Sequence, residues 1–179
     1  IRKFFFFFSS KRLNLITCPT LDLKKNLENL KLFKPNILYH LPDRLIKIED
    51  LKKKESSPIN FDLIKNKRII LSVGRLTRQK NFSYLINEFS DFLKINNNFV
   101  LLILGEGEEK KKLSQLIERE GQEKKIFLLG YIKNVYSFMR NSEIFILSSL
   151  WEEVGFEMVE AAICNNYIIS SDCPNGPRE

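Results

Sequence analysis

The sequence predicts an α/β protein built on a parallel sheet, because short apolar runs alternate with helical patterns from residue 67 onward. The runs are apolar along their whole length, which is typical of strands buried on both faces of a sheet. Strands of this kind, separated by helices, indicate a doubly wound, Rossmann-like arrangement with helices on both sides. The predicted strands are residues 68–73, 99–104, 126–129, 144–147 and 167–170.

Helical patterns fill the intervals between these strands. Apolar residues recur at helical spacing from Phe82 to Leu93, with Asn81 at the capping position. A second helix is predicted around residues 113–117, closed by Gly121, and a short one around residues 135–139. A fourth helix begins near Gly155 and precedes the last predicted strand. Residues 67–179 are therefore predicted to form one domain, truncated at its C-terminus.

Residues 1–66 do not show this alternation. The Phe4–Phe8 run is interpreted as a buried strand, since it is too short to span a bilayer and lacks the flanks of a signal peptide. One more strand is expected at Ile37–Tyr39. The only histidine, His40, lies two residues before Pro42 in linker-like sequence and is not expected to be catalytic. This region is interpreted as the end of a preceding domain and an interdomain connection, so that the chain is a fragment.

Composition narrows the classes of function. The formal charge is +7, from 29 basic and 22 acidic residues, but the lysine runs at 52–54 and 110–112 stand beside acidic residues. Dispersed lysines of this kind favour a solvated surface over a nucleic-acid patch. The three cysteines lack metal-ligand spacing and indicate neither a disulfide framework nor zinc, which fits a reducing cytoplasm.

The loop after the first predicted strand carries two cations next to the start of a helix. Gly74 allows a turn, and Arg75 and Lys80 follow it before the helix at Phe82. Cationic side chains beside helix N–H groups form a site for an anion, and a diphosphate fits this chemistry well.

The next two strand ends are rich in small residues. Gly105 and Gly107 follow the second strand, where small residues would let a ligand approach the backbone. Gly130 closes the third strand, and Tyr131 and Ile132 after it offer an apolar edge to a base. Neither segment is a dinucleotide fingerprint or a Walker sequence.

The segment after the fourth strand combines carboxylates with a helix N-terminus. With a helix beginning near Gly155, both Glu152 and Glu160 face one cleft, where they can accept hydrogen bonds from hydroxyl groups. The N–H groups around Gly155 and Phe156 are available to a phosphate. Glu153 and Glu157 are interpreted as exposed charges without a role.

Together these segments resemble a known family. The order and spacing of VGRLTRQKN (73–81), LGEGE (104–108), LLGY (128–131), the Glu152-x7-Glu160 motif and SSDCPNGPRE (170–179) are similar to the C-terminal domain of family-4 retaining glycosyltransferases. These enzymes have the GT-B fold of two Rossmann-like domains. The resemblance covers residues 67–179, and it implies that the domain supplying the acceptor site is absent from this fragment.

The resemblance implies roles for the candidate residues. Arg75 and Lys80 would bind the donor diphosphate and stabilise the leaving nucleotide, while Glu152 would contact the transferred sugar. Glu160 would bind the ribose hydroxyls. Backbone groups at Gly155 and Phe156 would hold a phosphate. The remaining nucleotide contacts would come from Gly74, Gly105, Gly107, Tyr131 and Ile132.

The donor implied is a UDP- or GDP-sugar, without a metal or other cofactor, and the acceptor a glycan or lipid-linked molecule bound through the N-terminal domain. A cytoplasmic location follows, with peripheral contact to the inner membrane face left open, and nucleic acid is not an expected partner. The fragment alone is expected to bind a donor weakly and to transfer nothing. Two alternatives stay open: a nucleotide-sugar epimerase, or a non-catalytic nucleotide-binding module of the same fold.

Overall fold

A computed structural model of the chain describes residues 13–30, 38–40, 64 and 66–178, of which 38–40 as backbone only. The described residues belong to two compact units. The first contains the described residues up to 40 together with 151–155 and 172–178, and the second contains residue 64, 66–150 and 156–171. The predicted division between residues 66 and 67 stays a prediction. The Phe4–Phe8 strand lies outside the described residues.

The first unit contains a short β-α-β arrangement. Strand β1 (Ile16–Cys18) pairs in parallel with β2 (Leu38–His40), and helix α1 (Leu21–Asn29) lies between them in the chain. The Thr20 side chain caps α1, since its hydroxyl oxygen accepts a hydrogen bond of 3.2 Å from the Leu23 N–H. The strand expected at Ile37–Tyr39 is therefore present, one residue later in the chain.

The second unit is a five-stranded parallel sheet with helices on both faces, which confirms the predicted α/β class. The strands lie in the order β5-β4-β3-β6-β7. Their bounds are β3 (Arg68–Val73), β4 (Phe99–Leu104), β5 (Ile126–Gly130), β6 (Ile144–Leu147) and β7 (Tyr167–Ser170). The helices are α2 (Phe82–Leu93), α3 (Lys110–Arg119), α4 (Tyr136–Asn141) and α5 (Phe156–Ile163), and a 3-10 turn (Arg78–Lys80) precedes α2.

Two hydrophobic cores, one on each side of the sheet, explain why its central strands are apolar throughout. Leu101 and Ile103 of β4 pack into the core that α2 and α3 cover, whereas Leu102 and Leu104 pack into the core that α4 lines. All six residues of β4 are buried for this reason. Burial of about 25 cal/mol per Å² of apolar surface makes these two cores the main stabilising term of this unit.

Strand β7 differs from the other strands because all four of its residues are exposed. Tyr167 is 73% and Ile169 53% exposed, although both belong to an apolar run. Among the described strands, β7 stands at the edge of the sheet and pairs with β6 alone. None of the described helices is long and apolar enough to cross a membrane.

An exposed ion pair joins the first residue of β3 to the residue before β6. Nε and Nη2 of Arg68, on one edge of the guanidinium, donate to the two carboxylate oxygens of Glu143, with Nε 2.6 Å from Oε2, and the guanidinium also lies over the Phe99 ring. The hydrogen bond from Arg68 lowers the pKa of the Glu143 carboxyl. A lowered folded-state pKa means that the pair stabilises the fold above the ordinary carboxyl pKa, and that this contribution is lost as pH falls through the lowered value.

We therefore expect Glu143→Gln to lower the thermal midpoint slightly at pH 7 and to leave it unchanged at pH values below the lowered pKa. Thermal unfolding followed by circular dichroism between pH 3 and 7 measures the difference between the two proteins. Because the pair is exposed, the difference should also shrink in high salt. A constant difference at every pH would show that Glu143 acts through something other than its charge.

Candidate nucleotide site

The strand order reverses at the C-terminal ends of β3 and β6. We call the space beside the loops that follow these two strands the crevice. From β3 the chain moves outward through β4 to β5, and then crosses to β6 and β7 on the other side. In open parallel sheets, ligands bind where the strand order reverses in this way, beyond the carboxyl ends of the two central strands. The loops at this point are residues 74–81 and 148–150, and both belong to the second unit.

The loops after β3 and β6 are joined directly. The Leu150 N–H donates to the Gln79 carbonyl oxygen at 2.8 Å, and the Ser148 hydroxyl donates to the Lys80 carbonyl oxygen at 2.8 Å. The Ser148 bond is buried, whereas Leu150 is an exposed residue.

Lys80 ends the 3-10 turn and its side chain is almost fully buried. Its stem passes over Gly74, where an added Cβ would lie 2.8 Å from the lysine Cε. Gly74 is therefore required by the path of this side chain. The ammonium group lies 3.1 Å from Oε1 of Glu157, in the first turn of α5.

The interpretation of Glu157 as an exposed charge is therefore wrong. Its side chain is only 27% exposed, because the ion pair with Lys80 holds it against the loop after β3. Glu153, by contrast, is exposed as expected. Sequence alone did not indicate the Glu157 contact, because Lys80 and Glu157 are 77 residues apart.

Arg75 differs from Lys80 although the sequence assigns both to the diphosphate. It is exposed, and within the described part of the chain its guanidinium takes part in no ion pair. Its backbone carbonyl accepts a hydrogen bond of 2.8 Å from the Thr77 N–H, which tightens the turn after β3. A ligand can thus reach this guanidinium from solvent.

Gly105 and Gly107 are required by the neighbouring loop. A Cβ on Gly105 would lie 1.8 Å from the Gly74 carbonyl oxygen, and one on Gly107 would lie 2.3 Å from the Leu76 carbonyl oxygen. Leu76 also exchanges hydrogen bonds of 2.9 Å with Glu106 and Glu109. The space above these glycines therefore contains the loop after β3, and their contact with a nucleotide stays a prediction.

Gly130 ends β5 with a φ of +76°, a conformation that favours glycine. Tyr131 after it is 74% exposed, whereas Ile132 is half-buried and packs against the core that α4 lines. The predicted contact of Tyr131 and Ile132 with a base is not tested by this geometry.

Helix α5 carries the second carboxylate of the Glu152-x7-Glu160 motif. The hydroxyl of Tyr136, a buried residue at the start of α4, donates to Oε1 of Glu160 at 3.1 Å. Tyr136 lies in the short helix that the sequence predicts around residues 135–139, and its hydroxyl adds a polar contact to that prediction. The N–H groups of the first turn of α5, which begins at Phe156, have no partners within the helix.

Glu152 and Gly155 belong to the first unit, whose C-terminal residues hold the backbone of Glu152. The Glu152 N–H donates to the Pro174 carbonyl oxygen at 3.2 Å, and its carbonyl oxygen accepts from Asn175 Nδ2 at 3.1 Å. Glu152 is 5% exposed, and Gly155 has a φ of +76°. Their sugar and phosphate contacts stay predictions.

The described residues contain no group of three or more His, Cys, Asp or Glu side chains arranged to hold a metal ion. The polar groups at the crevice are instead a buried ammonium, its carboxylate partner, an exposed guanidinium and helix N–H groups. This set suits an anionic ligand with several hydrogen-bonding oxygens.

A doubly wound parallel sheet with helices on both faces defines a protein of the Rossmann-like α/β class. The family described as "Glycosyl transferases group 1" matches residues 53–179, and the chain belongs to that family. Solved structures share the fold. The chain aligns with TarM of S. aureus, crystallised with UDP, at a TM-score of 0.79 and 22% identity, covering 99% of this chain and 33% of that one.

Curated relatives agree with this family. The chain is 34% identical over 155 residues to an uncharacterised glycosyltransferase of Methanocaldococcus jannaschii, which is 87% of this chain and 37% of that protein. It is also 34% identical over 118 residues, 66% of this chain and 32% of the relative, to a Campylobacter jejuni enzyme. That enzyme is named as an N-acetylgalactosaminyltransferase acting on a diphospho-undecaprenol acceptor. The chain thus spans about a third of the length of these relatives.

Proposed function

We propose that this chain is the donor-binding part of a glycosyltransferase that moves a sugar from a nucleoside-diphosphate sugar to a glycan, lipid-linked or cell-envelope acceptor, with retention at the anomeric carbon. The observation that carries the proposal is the position of the Lys80 ammonium, backed by the joined loops, at the switch point of the sheet. Family membership supports the reaction class, and the UDP in the TarM crystals supports the donor class.

The proposed reaction develops negative charge on the leaving diphosphate, and this charge determines which groups can catalyse it. The bond between the anomeric carbon and the β-phosphate oxygen breaks, a bond to the acceptor oxygen forms, and the acceptor proton passes to the released diphosphate. Negative charge grows on that diphosphate, so fixed cations stabilise the transition state more than the bound substrate. Lys80, Arg75 and the first N–H groups of α5 supply this stabilisation, without a metal ion.

The carboxylates bind the neutral parts of the donor. Glu160, oriented by the Tyr136 hydroxyl, accepts from the ribose hydroxyls, and Glu152 accepts from hydroxyls of the sugar. Tyr131 and Ile132, with the backbone at Gly105 and Gly107, face the base. The proposed location is the cytoplasm. The acceptor and membrane contacts are proposed to be made by the N-terminal domain that the resemblance implies.

Titration of this chain with UDP, GDP and ADP, followed by calorimetry and backbone NMR, tests the donor site. We expect at least one nucleotide to shift the amide signals of residues 74–81 and 156–160, and the base that binds best identifies the donor. The matching nucleoside monophosphate is the control, and it should bind more weakly because it lacks the second phosphate. Absence of binding by all three, or shifts confined to the opposite end of the sheet, would contradict the proposal.

A further inference from the structure

The ion pair between Lys80 and Glu157 spans the crevice at which the diphosphate is proposed to bind. Lys80 comes from the loop after β3, and Glu157 from the first turn of α5. The two side chains are 8% and 27% exposed, so the ammonium reaches solvent less readily than the carboxylate. Water therefore screens this pair less than it screens the surface pairs of the chain.

Glu157 occupies the electrostatic position that an anionic ligand needs. Its carboxylate stands 3.1 Å from the Lys80 ammonium, and it lies in the first turn of a helix, where negative charge is favoured. A diphosphate seeks the same ammonium and the same helix end. Both anions cannot lie close to one lysine without repelling each other, because like charges a few ångströms apart destabilise one another.

We propose that Glu157 is a placeholder for the donor diphosphate: it neutralises Lys80 in the free protein and leaves the ammonium when the diphosphate arrives. The carboxylate thereby sets the affinity for the donor and for the released nucleotide. This inference rests on the proposed donor site.

The alternative is that Glu157 only positions Lys80 for the ligand. The two roles predict opposite changes in the affinity for a diphosphate when the Glu157 carboxylate is removed. A positioning carboxylate holds the ammonium in its productive place, so its removal weakens diphosphate binding. A placeholder competes for the ammonium, so its removal strengthens binding.

The test is the affinity of the Glu157→Gln variant for UDP and for inorganic pyrophosphate, measured by calorimetry at low salt. Glutamine keeps an oxygen that can accept from Lys80 and removes only the charge. We expect both ligands to bind about tenfold more tightly, since a like charge close to the phosphates is lost. Asp91→Asn, which removes a carboxylate paired with exposed Lys94, is the control for net charge and should leave both affinities unchanged.

Unchanged or weaker binding by Glu157→Gln, with wild-type binding intact, would overturn the placeholder and leave the donor site standing. Failure of the wild-type chain to bind any nucleotide or pyrophosphate would overturn both. A second measurement needs no variant: the ¹³C signal of the Glu157 carboxylate should move when UDP is added to the wild-type protein. A bound state in which that signal stays fixed would show that the carboxylate does not leave Lys80.

Discussion

Replacement of Lys80 by methionine is expected to lower turnover of the complete enzyme by about 100- to 1000-fold, the usual cost of losing one group that stabilises a developing oxyanion. Methionine keeps an unbranched apolar stem over Gly74, so the loop after β3 should retain its path. The loss then falls on the ammonium, which is the buried cation of the crevice. Measurement of kcat and KM separately shows whether the transition state or the bound donor is affected.

Two further variants make this result interpretable. Lys94→Met removes an exposed lysine at the end of α2 and should leave turnover unchanged. The double variant Lys80→Met/Glu157→Gln removes the carboxylate that would otherwise remain without its cation. If the double variant is as slow as Lys80→Met, the ammonium itself is needed; full recovery in the double variant would mean that the stranded carboxylate caused the loss. Normal turnover in Lys80→Met alone would refute the assignment of Lys80.

Replacement of Gly105 by alanine is expected to lower the free energy of unfolding by about 4 kcal/mol, from overpacking and from an unfavourable backbone conformation together. The added Cβ would lie 1.8 Å from the Gly74 carbonyl oxygen, and the φ of Gly105 is +146°. The obstacle is backbone rather than a flexible side chain, so the loop after β3 would have to move. Urea unfolding followed by fluorescence or circular dichroism measures the change.

Gly121 is a matched control for this experiment. It has a φ of +65°, but an added Cβ would meet nothing within 4 Å. Gly121→Ala therefore reports only the backbone cost, which is about 1 kcal/mol. If Gly105→Ala is no more destabilising than Gly121→Ala, the two loops separate easily, and the close packing at the crevice is not what makes Gly105 necessary.

The sheet and the position of its crevice could be predicted from the sequence because both depend on local patterns. Apolar runs fix the strands, and glycines mark their C-terminal ends, as at Gly74, Gly105 and Gly130. The parallel arrangement then brings the loops to one edge of the sheet. The same strand-loop-helix pattern predicts a place at this edge for Lys80, because Lys80 lies between a strand and the helix that follows it.

The partners of the candidate residues could not be predicted, because they depend on long-range packing. Glu157 follows Lys80 by 77 residues, and Tyr136 precedes Glu160 by 24, so no helical or strand spacing relates either pair. The contacts of Gly105 and Gly107, after β4, could not be predicted either. A small residue after a strand indicates a close approach, but the pattern does not tell whether a ligand or another loop approaches.

The sequence pattern also does not predict the exposure of β7. Tyr167, Ile168 and Ile169 are as apolar as the residues of a buried strand, so hydropathy does not predict their exposure. An edge position alone does not account for it, because β5 stands at the opposite edge of the described sheet, pairs with β4 alone, and has buried and half-buried residues.

The bond between Leu150 and Gln79 has a consequence for how this crevice tolerates mutation, because both partners are peptide groups. Any residue other than proline at position 150 retains the donor, and every residue at position 79 retains the acceptor. This bond is thus independent of the side chains that its two residues carry, whereas the second bond of the junction needs the Ser148 hydroxyl. Substitutions at positions 79 and 150 can therefore alter what the proposed site recognises while this bond persists, a separation that makes the two positions suitable for library-based redesign of the proposed donor preference.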